Sequence, residues 1–356
     1  MNHLNAITAQ LDAYQLDALC ITSQPGEYYA VGLKGEGVVL VTRQVCHYFT
    51  DSRYIELAQN TVTNAAVTMV TPQQDHLALA SLVLEHYGLK RVGIEEAYLT
   101  VERWQKMKTA FPADTELVPA GKLLTELRSA KTEEELAVMQ KAQDITDQVF
   151  AEICEFLHAG VTESEVAAQL TYLQMKHGAE GNSFPPIVAS GANGSMPHAI
   201  PTAKPIQKGE FVTMDFGCIY QGYCSDMTRT VAIGQPSDEM RRVYDAVLEA
   251  QLAGIAAAKA GVPGCDVHNA AWDVLKKYGY GDYFGHGFGH SLGIEIHESP
   301  NANRANTKPL PAGAVLSAEP GVYLPGKFGV RTEDVIFLTE TGNRILTHAP
   351  KHLIIR

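Results

Sequence analysis

The stretch Phe211-Val-Thr-Met-Asp215-Phe-Gly-Cys-Ile-Tyr220-Gln-Gly-Tyr-Cys-Ser-Asp226-Met-Thr-Arg-Thr230 reads as a β-hairpin that turns near Gln221-Gly222. A turn centred on residues 220 and 221 sets Asp215 directly opposite Asp226, whereas one centred on 221 and 222 makes them diagonal neighbours. In either register the Cβ atoms fall roughly 4.5–8 Å apart, close enough to aim both carboxylates at one spot. Apposed carboxylates repel, and a proton or a cation must relieve them. A structural Asp beside an exposed one is the plainer account, and the hairpin alone does not choose between the two.

Working outward, Thr132-Glu133-Glu134-Glu135 and Thr162-Glu163-Ser164-Glu165 are capping boxes, each opening a helix. The second helix ends near Gly178, and Ile187–Ser190 is strand-like. Beyond the hairpin, helices over about 237–260 and 265–278 stop at Gly261 and Gly279, the residue type that best tolerates a left-handed cap. The last 75 or so residues are strand and loop, rich in Gly and Pro. This half reads as α+β.

Between Gly285 and Pro300 lie His286, His290 and His297, interleaved with Gly287, Gly289 and Gly293. Each glycine costs a helix about 1 kcal/mol against alanine, so the His286/His290 spacing is not a helical metal motif. The glycines instead let backbone approach a ligand closely. Further on, Val315-Leu-Ser-Ala-Glu319-Pro320 makes Glu319 the last residue of a strand, and Val330-Arg331-Thr332-Glu333 puts Arg331 and Glu333 on one face of a later one. Asp215, Asp226, His290, Glu319 and Glu333 together offer four carboxylates and one imidazole. That set suits two hard-to-borderline divalent ions such as Mn²⁺, Co²⁺ or Fe²⁺, whose charges balance the carboxylates. It is the donor set of a two-metal hydrolase, in which a water acidified toward a pKa of about 7 attacks a polarised carbonyl.

Toward the amino terminus, short apolar strands alternate with amphipathic helices: Leu16–Thr22, Gly37–Thr42 and Val67–Val70, the helix Asp75–Tyr87, the strand Arg91–Glu95 and the helix Val101–Ala110. This alternation indicates an α/β layer domain over residues 1–122, a linker over 123–131, and the α+β domain over 132–356. No nucleotide-binding glycine loop is present. The formal charge of −12 comes without a basic stripe, which argues against nucleic acid as a partner. No apolar run reaches the roughly 18 residues of a membrane span, and the first residues lack a secretory pattern, so a cytoplasmic protein is expected. None of the six cysteines forms a C-x-x-C pair, as suits free thiols in a reducing compartment.

The sequence resembles the pita-bread metallopeptidases, the family of methionine aminopeptidase, aminopeptidase P and prolidase. The resemblance rests on Met214-Asp-Phe-Gly, Ser225-Asp226-Met-Thr-Arg, the His286-to-Pro300 loop, Ala318-Glu319-Pro320-Gly321-Val-Tyr and Gly329-Val-Arg-Thr-Glu333-Asp334. It covers about residues 125–356, and the amino-terminal part resembles a creatinase/prolidase-type domain in layout. The resemblance implies that Asp215 binds one ion, His290 and Glu319 the other, and that Asp226 and Glu333 bridge them. It makes His198, His297 and Glu319 catalytic, with Ala199 standing where the family has a glycine, and sets His286 and Arg331 at the substrate end of the cleft. It also implies two divalent ions per chain, Mn²⁺ before Co²⁺, Fe²⁺ or Zn²⁺, a proline-containing peptide as substrate, and a homodimer.

The extra amino-terminal domain argues against methionine aminopeptidase, and the complete ligand set against metal-free creatinase. Val188-Ala-Ser-Gly191 and Tyr220 to Arg229 look like small bacterial aminopeptidase P, so an Xaa-Pro aminopeptidase is the expected activity, with a dipeptide-only Xaa-Pro dipeptidase as the alternative. A non-catalytic peptide-binding module on the same fold is the reading from another class, since fold alone never proves activity. Metal content separates it from the enzymes.

Overall fold

The computed structural model describes residues 2–356, and the chain divides into two compact units, Met1–Arg128 and Ser129–Arg356. The first unit runs α1 (Leu4–Gln10), β1 (Ala18–Ile21), α2 (Gln24–Val31), β2 (Val38–Thr42), β3 (Cys46–Thr50), α3 (Ile55–Thr61), β4 (Ala65–Met69), α4 (His76–Tyr87), β5 (Arg91–Ile94), α5 (Val101–Ala110) and β6 (Glu116–Pro119). Its six strands form one mixed sheet in the order β4-β3-β2-β1-β5-β6. The central strands β1 and β2 are buried on both faces, which is why they read as continuous apolar runs. Leu77, Leu84 and Met107 of α4 and α5 pack with Cys20, Leu40 and Val92 of the sheet in one core. Residues 121–129, most of them placed in the linker by the sequence, form a helix instead, α6 (Gly121–Ser129), whose Leu123 and Leu124 are buried.

The second unit opens with α7 (Glu133–Phe156) and α8 (Glu163–Lys176), and both capping boxes carry their two reciprocal hydrogen bonds. Then come β7 (Gly181–Asn182), β8 (Ile187–Ser190), a 3₁₀ turn at Gly191–Ser195, β9 (Glu210–Phe216), β10 (Cys218–Tyr220), β11 (Tyr223–Cys224), β12 (Met227–Ile233), α9 (Asp238–Ala257) and α10 (Gly264–Lys277). The chain finishes with β13 (Gly289–Ser291), β14 (Glu298–Ala302), β15 (Val315–Ala318), β16 (Gly321–Leu324), β17 (Phe328–Arg331), β18 (Asp334–Leu338) and β19 (Asn343–Ile345). Two sheets matter for the site: β12-β9-β8, and β14-β13-β15-β18-β19.

Strand periodicity sorts the residues of β9 and β12. Val212, Met214 and Phe216 join Met227, Val231 and Ile233 in a core under α7 and α8, with Val149, Ile153 and Leu170. The alternate residues face the other way, where Thr213 and Thr230 are cross-strand partners whose hydroxyls lie 3.0 Å apart. Asp215 continues that inner face. A second core unites Val243, Val247 and Leu275 of α9 and α10 with Phe288, Leu316 and Ile336. The two sheets are stapled by Arg229, which is 1% exposed and donates from Nη2 to Asp334 Oδ1 at 2.9 Å and to the Ala349 carbonyl at 2.8 Å.

Among the described residues no helix is long and apolar enough to cross a membrane. All six cysteines are free, five of them buried.

Candidate metal centre

The hairpin turns on Gln221 and Gly222, both with positive φ (43° and 74°), the pairing a tight hairpin turn requires. Ile219 faces Cys224 and Asp215 faces Thr228, so Asp226 is the diagonal neighbour of Asp215, the second of the two registers the sequence allows. Between them the ladder breaks at Gly217, where a Cβ would stand 1.9 Å from the Ser225 carbonyl oxygen. His290 sits on β13 beside a β-bulge between it and Ser291. Glu319 lies one residue past the end of β15 rather than on it, held by its N–H on the Phe288 carbonyl at 2.8 Å. Arg331 ends β17, but Glu333 falls in the link before β18 rather than farther along one strand. Its N–H donates to the Thr228 carbonyl at 3.1 Å, a bond to β12 that fixes the link.

These side chains line one cleft of about 770 Å³, with His198, His286, His297 and Arg331 on its walls and Phe184, Pro185, Ile187 and Ile296 as its apolar surfaces. The volume is that of a small-ligand site. Ligand atoms of Asp226, His290 and Glu333 all lie within 4.8 Å of one another. His290 Nδ1–H donates to the Ser291 carbonyl at 3.2 Å, which leaves the Nε2 lone pair facing Glu319 Oε1 at 3.3 Å and Asp226 Oδ2 at 3.7 Å. Burial holds the His290 pKa below the usual imidazole value, keeping that lone pair free.

Three of the four carboxylates have one oxygen held by a hydrogen-bond donor. Arg331 Nη2 donates to Asp215 Oδ2 at 2.6 Å, Thr228 Oγ1 to Glu333 Oε2 at 2.7 Å, and Ser317 Oγ to Glu319 Oε1 at 2.9 Å. Asp215 Oδ1, Asp226 Oδ1 and Glu333 Oε1 are buried and have no hydrogen-bond partner among the described residues. Orphaned buried carboxylate oxygens are costly unless something cationic or protonated meets them. Burial, then the mutual repulsion of the carboxylates, pushes Asp226 and Glu333 well above the ordinary carboxylate range. Burial also raises Glu319, with His286 and Arg331 opposing it. Four carboxyl groups and an unprotonated imidazole nitrogen, with three oxygens unspoken for, fit divalent cations.

Beside this cluster runs an ordered chain of donors. Arg331 Nη1 donates to the Tyr323 hydroxyl at 2.7 Å, and that hydroxyl donates to His286 Nε2 at 2.9 Å, the His286 Nδ1–H going to the Gly287 carbonyl at 2.8 Å. Burial raises the Tyr323 hydroxyl to about 12, so it stays protonated as the chain requires. His297 stands edge-on to His290, ring centroids 4.5 Å apart, and its pKa is lowered by burial and then by His290. His198 and His297 are both exposed on the cleft rim. Sequence reading passed over Tyr323, Thr228 and Ser317. Alternation in β16, β12 and β15 carried the signal, since each is a polar residue among the alternating positions of its strand.

Residues 137–340 match the family model described as metallopeptidase family M24, and residues 3–130 match the creatinase/prolidase N-terminal domain. The chain is 39% identical to the uncharacterized peptidase YqhT of Bacillus subtilis, over 96% of each chain. It is 32% identical to the Xaa-Pro dipeptidase of Pyrococcus horikoshii, over 97% of this chain and 96% of the other. Among solved structures, an Xaa-Pro dipeptidase from Bacillus anthracis superimposes with a TM-score of 0.95 at 36% identity, over 99% of both chains. An X-Pro aminopeptidase from Thermotoga maritima superimposes with a TM-score of 0.91 at 34% identity, over 96% of this chain and 98% of that one.

Proposed function

This chain belongs to metallopeptidase family M24, with the pita-bread fold and a creatinase/prolidase-type domain before it, and from that membership we propose that it is an Xaa-Pro dipeptidase working with two divalent ions, Mn²⁺ first. The observation that carries the reading is the meeting of Asp215, Asp226, His290, Glu319 and Glu333 in one cleft, with three buried carboxylate oxygens left unpartnered. The dipeptidase replaces the aminopeptidase favoured on sequence because the full-length relatives from Pyrococcus horikoshii and Bacillus anthracis are Xaa-Pro dipeptidases. The likeness to the Thermotoga maritima X-Pro aminopeptidase supports longer Xaa-Pro peptides as the second reading.

In this proposal Asp215, Asp226, His290, Glu319 and Glu333 would hold the ions. When bound, the ions supply Lewis-acid polarisation of the scissile carbonyl and a nucleophilic water at neutral pH. The protein's own share is preorganisation. Arg331, Thr228 and Ser317 each fix one carboxylate oxygen, so the other cannot rotate out of the cleft. His198 and His297, each outside the strands and helices on the cleft wall, donate to the substrate carbonyl and to the charge that grows on its oxygen. His286, held by Tyr323 and Gly287, frames the proline end. A proline nitrogen leaves poorly as an anion, so a proton must reach it, and Glu319 delivers it from the edge of the cluster.

The test is a chromatographic assay of Xaa-Pro dipeptides against Xaa-Pro-Xaa tripeptides with the metal-loaded protein. Turnover confined to dipeptides is the expected result. Equal or faster release of the first residue from tripeptides would overturn the dipeptidase assignment in favour of the aminopeptidase.

A further inference from the structure

His198 has an unusual problem for a residue asked to donate to a reacting group. It is exposed, and no hydrogen bond fixes its ring among the described residues. Its place therefore depends wholly on the backbone of the excursion from Ser190 to Thr202. That segment has little structure of its own: a 3₁₀ turn at Gly191–Ser195, then two local bonds, Met196 N to the Asn193 carbonyl at 3.0 Å and Ala199 N to the Met196 carbonyl at 3.2 Å. Arg331 Nη1 touches the Pro197 carbonyl at a long 3.3 Å.

Gly194 packs against the Gly329 backbone of β17, and the Ser164 N–H donates to the Thr202 carbonyl at 3.0 Å, but the two ends are drawn together by a single buried carboxylate. Glu163 is 0% exposed. Its Oε1 accepts from Ser190 N at 2.7 Å and from Ser190 Oγ at 2.8 Å. Its Oε2 accepts from Thr202 Oγ1 at 2.7 Å and from Thr202 N at 3.1 Å. The Asn193 amide bridges both oxygens at 3.1 Å. Both ends of the excursion thus close on one side chain. Glu163 is itself rooted as the first residue of α8, whose Val166, Leu170 and Leu173 are in the core, and a helix N-terminus favours a negative charge. The nearby cation, Lys204, is taken by Ser190 Oγ at 2.8 Å and Glu210 at 2.7 Å. Burial alone would raise the Glu163 pKa, but the bonds from Thr202, Ser190 and Asn193 outweigh it and hold it below the ordinary value.

We propose that Glu163 is a positioning residue for His198, closing the 190–202 excursion so that the histidine stands over the metal centre. This rests on the role given to His198 above. Glutamine keeps the shape but turns one acceptor oxygen into a donor that faces N–H and O–H groups, so Glu163→Gln should release one end of the excursion.

The experiment is a double-variant cycle in metal-loaded enzyme with an Xaa-Pro dipeptide: wild type, Glu163→Gln, His198→Ala and the pair. Misplacement of about 1 Å costs up to a hundredfold, so Glu163→Gln should lower kcat/KM about tenfold to a hundredfold, mostly in kcat, with metal content unchanged. Because both act through one histidine, the paired variant should match His198→Ala within about twofold. Losses that multiply in the pair, or wild-type kinetics in Glu163→Gln where His198→Ala is impaired, overturn the proposal. Hydrogen exchange across 191–202 separates the two premises. Faster exchange there with His198→Ala kinetically silent upholds the clamp and sinks only the catalytic role of His198; unchanged exchange sinks the clamp. Should Glu163→Gln fail to fold, Thr202→Val removes one donor without stranding a charge, and it must show the same non-additivity with a smaller loss.

Discussion

Lys131 and Glu298 form an ion pair with almost no access to water, their side chains 2% and 5% exposed. Lys131 Nζ is 3.0 Å from Glu298 Oε2 and 3.2 Å from Ser291 Oγ, while Lys131 N donates to the Gly313 carbonyl at 2.7 Å. The pair thereby ties the start of the second unit to the residues that follow His290 and His297. Unit charges 3 Å apart attract by about 5 kcal/mol at an effective dielectric of about 20, and desolvation consumes much of this. Lys131→Met keeps the stem but strands the carboxylate, and breaking a buried pair from one side costs about 3–5 kcal/mol. Lys131→Met with Glu298→Leu removes both charges and should recover most of that loss, because apolar replacement of a buried pair is commonly near neutral. The chain has two tryptophans, Trp104 and Trp272, one in each unit. Urea unfolding of a Trp104→Phe background, read by Trp272 fluorescence with chelator present, therefore reports the second unit alone. A loss below about 1 kcal/mol in Lys131→Met, or a double variant no more stable than the single one, would refute the reasoning.

Glu319→Gln should abolish dipeptide turnover, and near-wild-type kcat in that variant would remove Glu319 from the proton path. Gly289→Ala would set a Cβ 1.9 Å from the Ser317 carbonyl oxygen and force β13 from β15. Denaturation should show a loss of about 1–3 kcal/mol, and an unchanged midpoint would contradict the packing. His268 is buried, accepts from Arg304 Nε at 3.1 Å, and has its pKa lowered to about 4 by burial and then by Arg304. Since the folded value lies below the ordinary 6.5, its contribution is complete above about pH 6.5 and is lost as pH falls toward 4, at most about 3 kcal/mol. His268→Gln should flatten urea midpoints across that window, and an equally steep fall would place the acid sensitivity elsewhere.

Local signals were legible where chemistry and spacing are local. Thr132 and Thr162 announced α7 and α8, and Gln221-Gly222 announced the hairpin that makes Asp215 and Asp226 diagonal partners. The first unit was less readable. β3 and β6 and the helices α1 to α3 went unseen, the helices being only seven or eight residues long, too short for a clear apolar period. Residues 121–129 carry charge enough to pass for a linker, yet Leu123 and Leu124 anchor a helix. Glu319 and Glu333 were found by motif but placed on strands they adjoin rather than occupy, because strand ends are set by partners far away in sequence. Glu163 passed as part of a capping box and Lys131 as the last residue of a linker. The burial of a long polar side chain belongs to the tertiary structure, and no local pattern encodes it.

In the proposed function, Asp215, Asp226, His290, Glu319 and Glu333, on strands and the links beside them, gather a pair of cations for peptide hydrolysis. Titrating Mn²⁺ into metal-stripped protein while following cleavage of an Xaa-Pro dipeptide tests it most directly. Activity should be absent at the start, rise with added metal and level off near two equivalents per chain. Full turnover in the stripped protein, or none at any metal concentration, would contradict it.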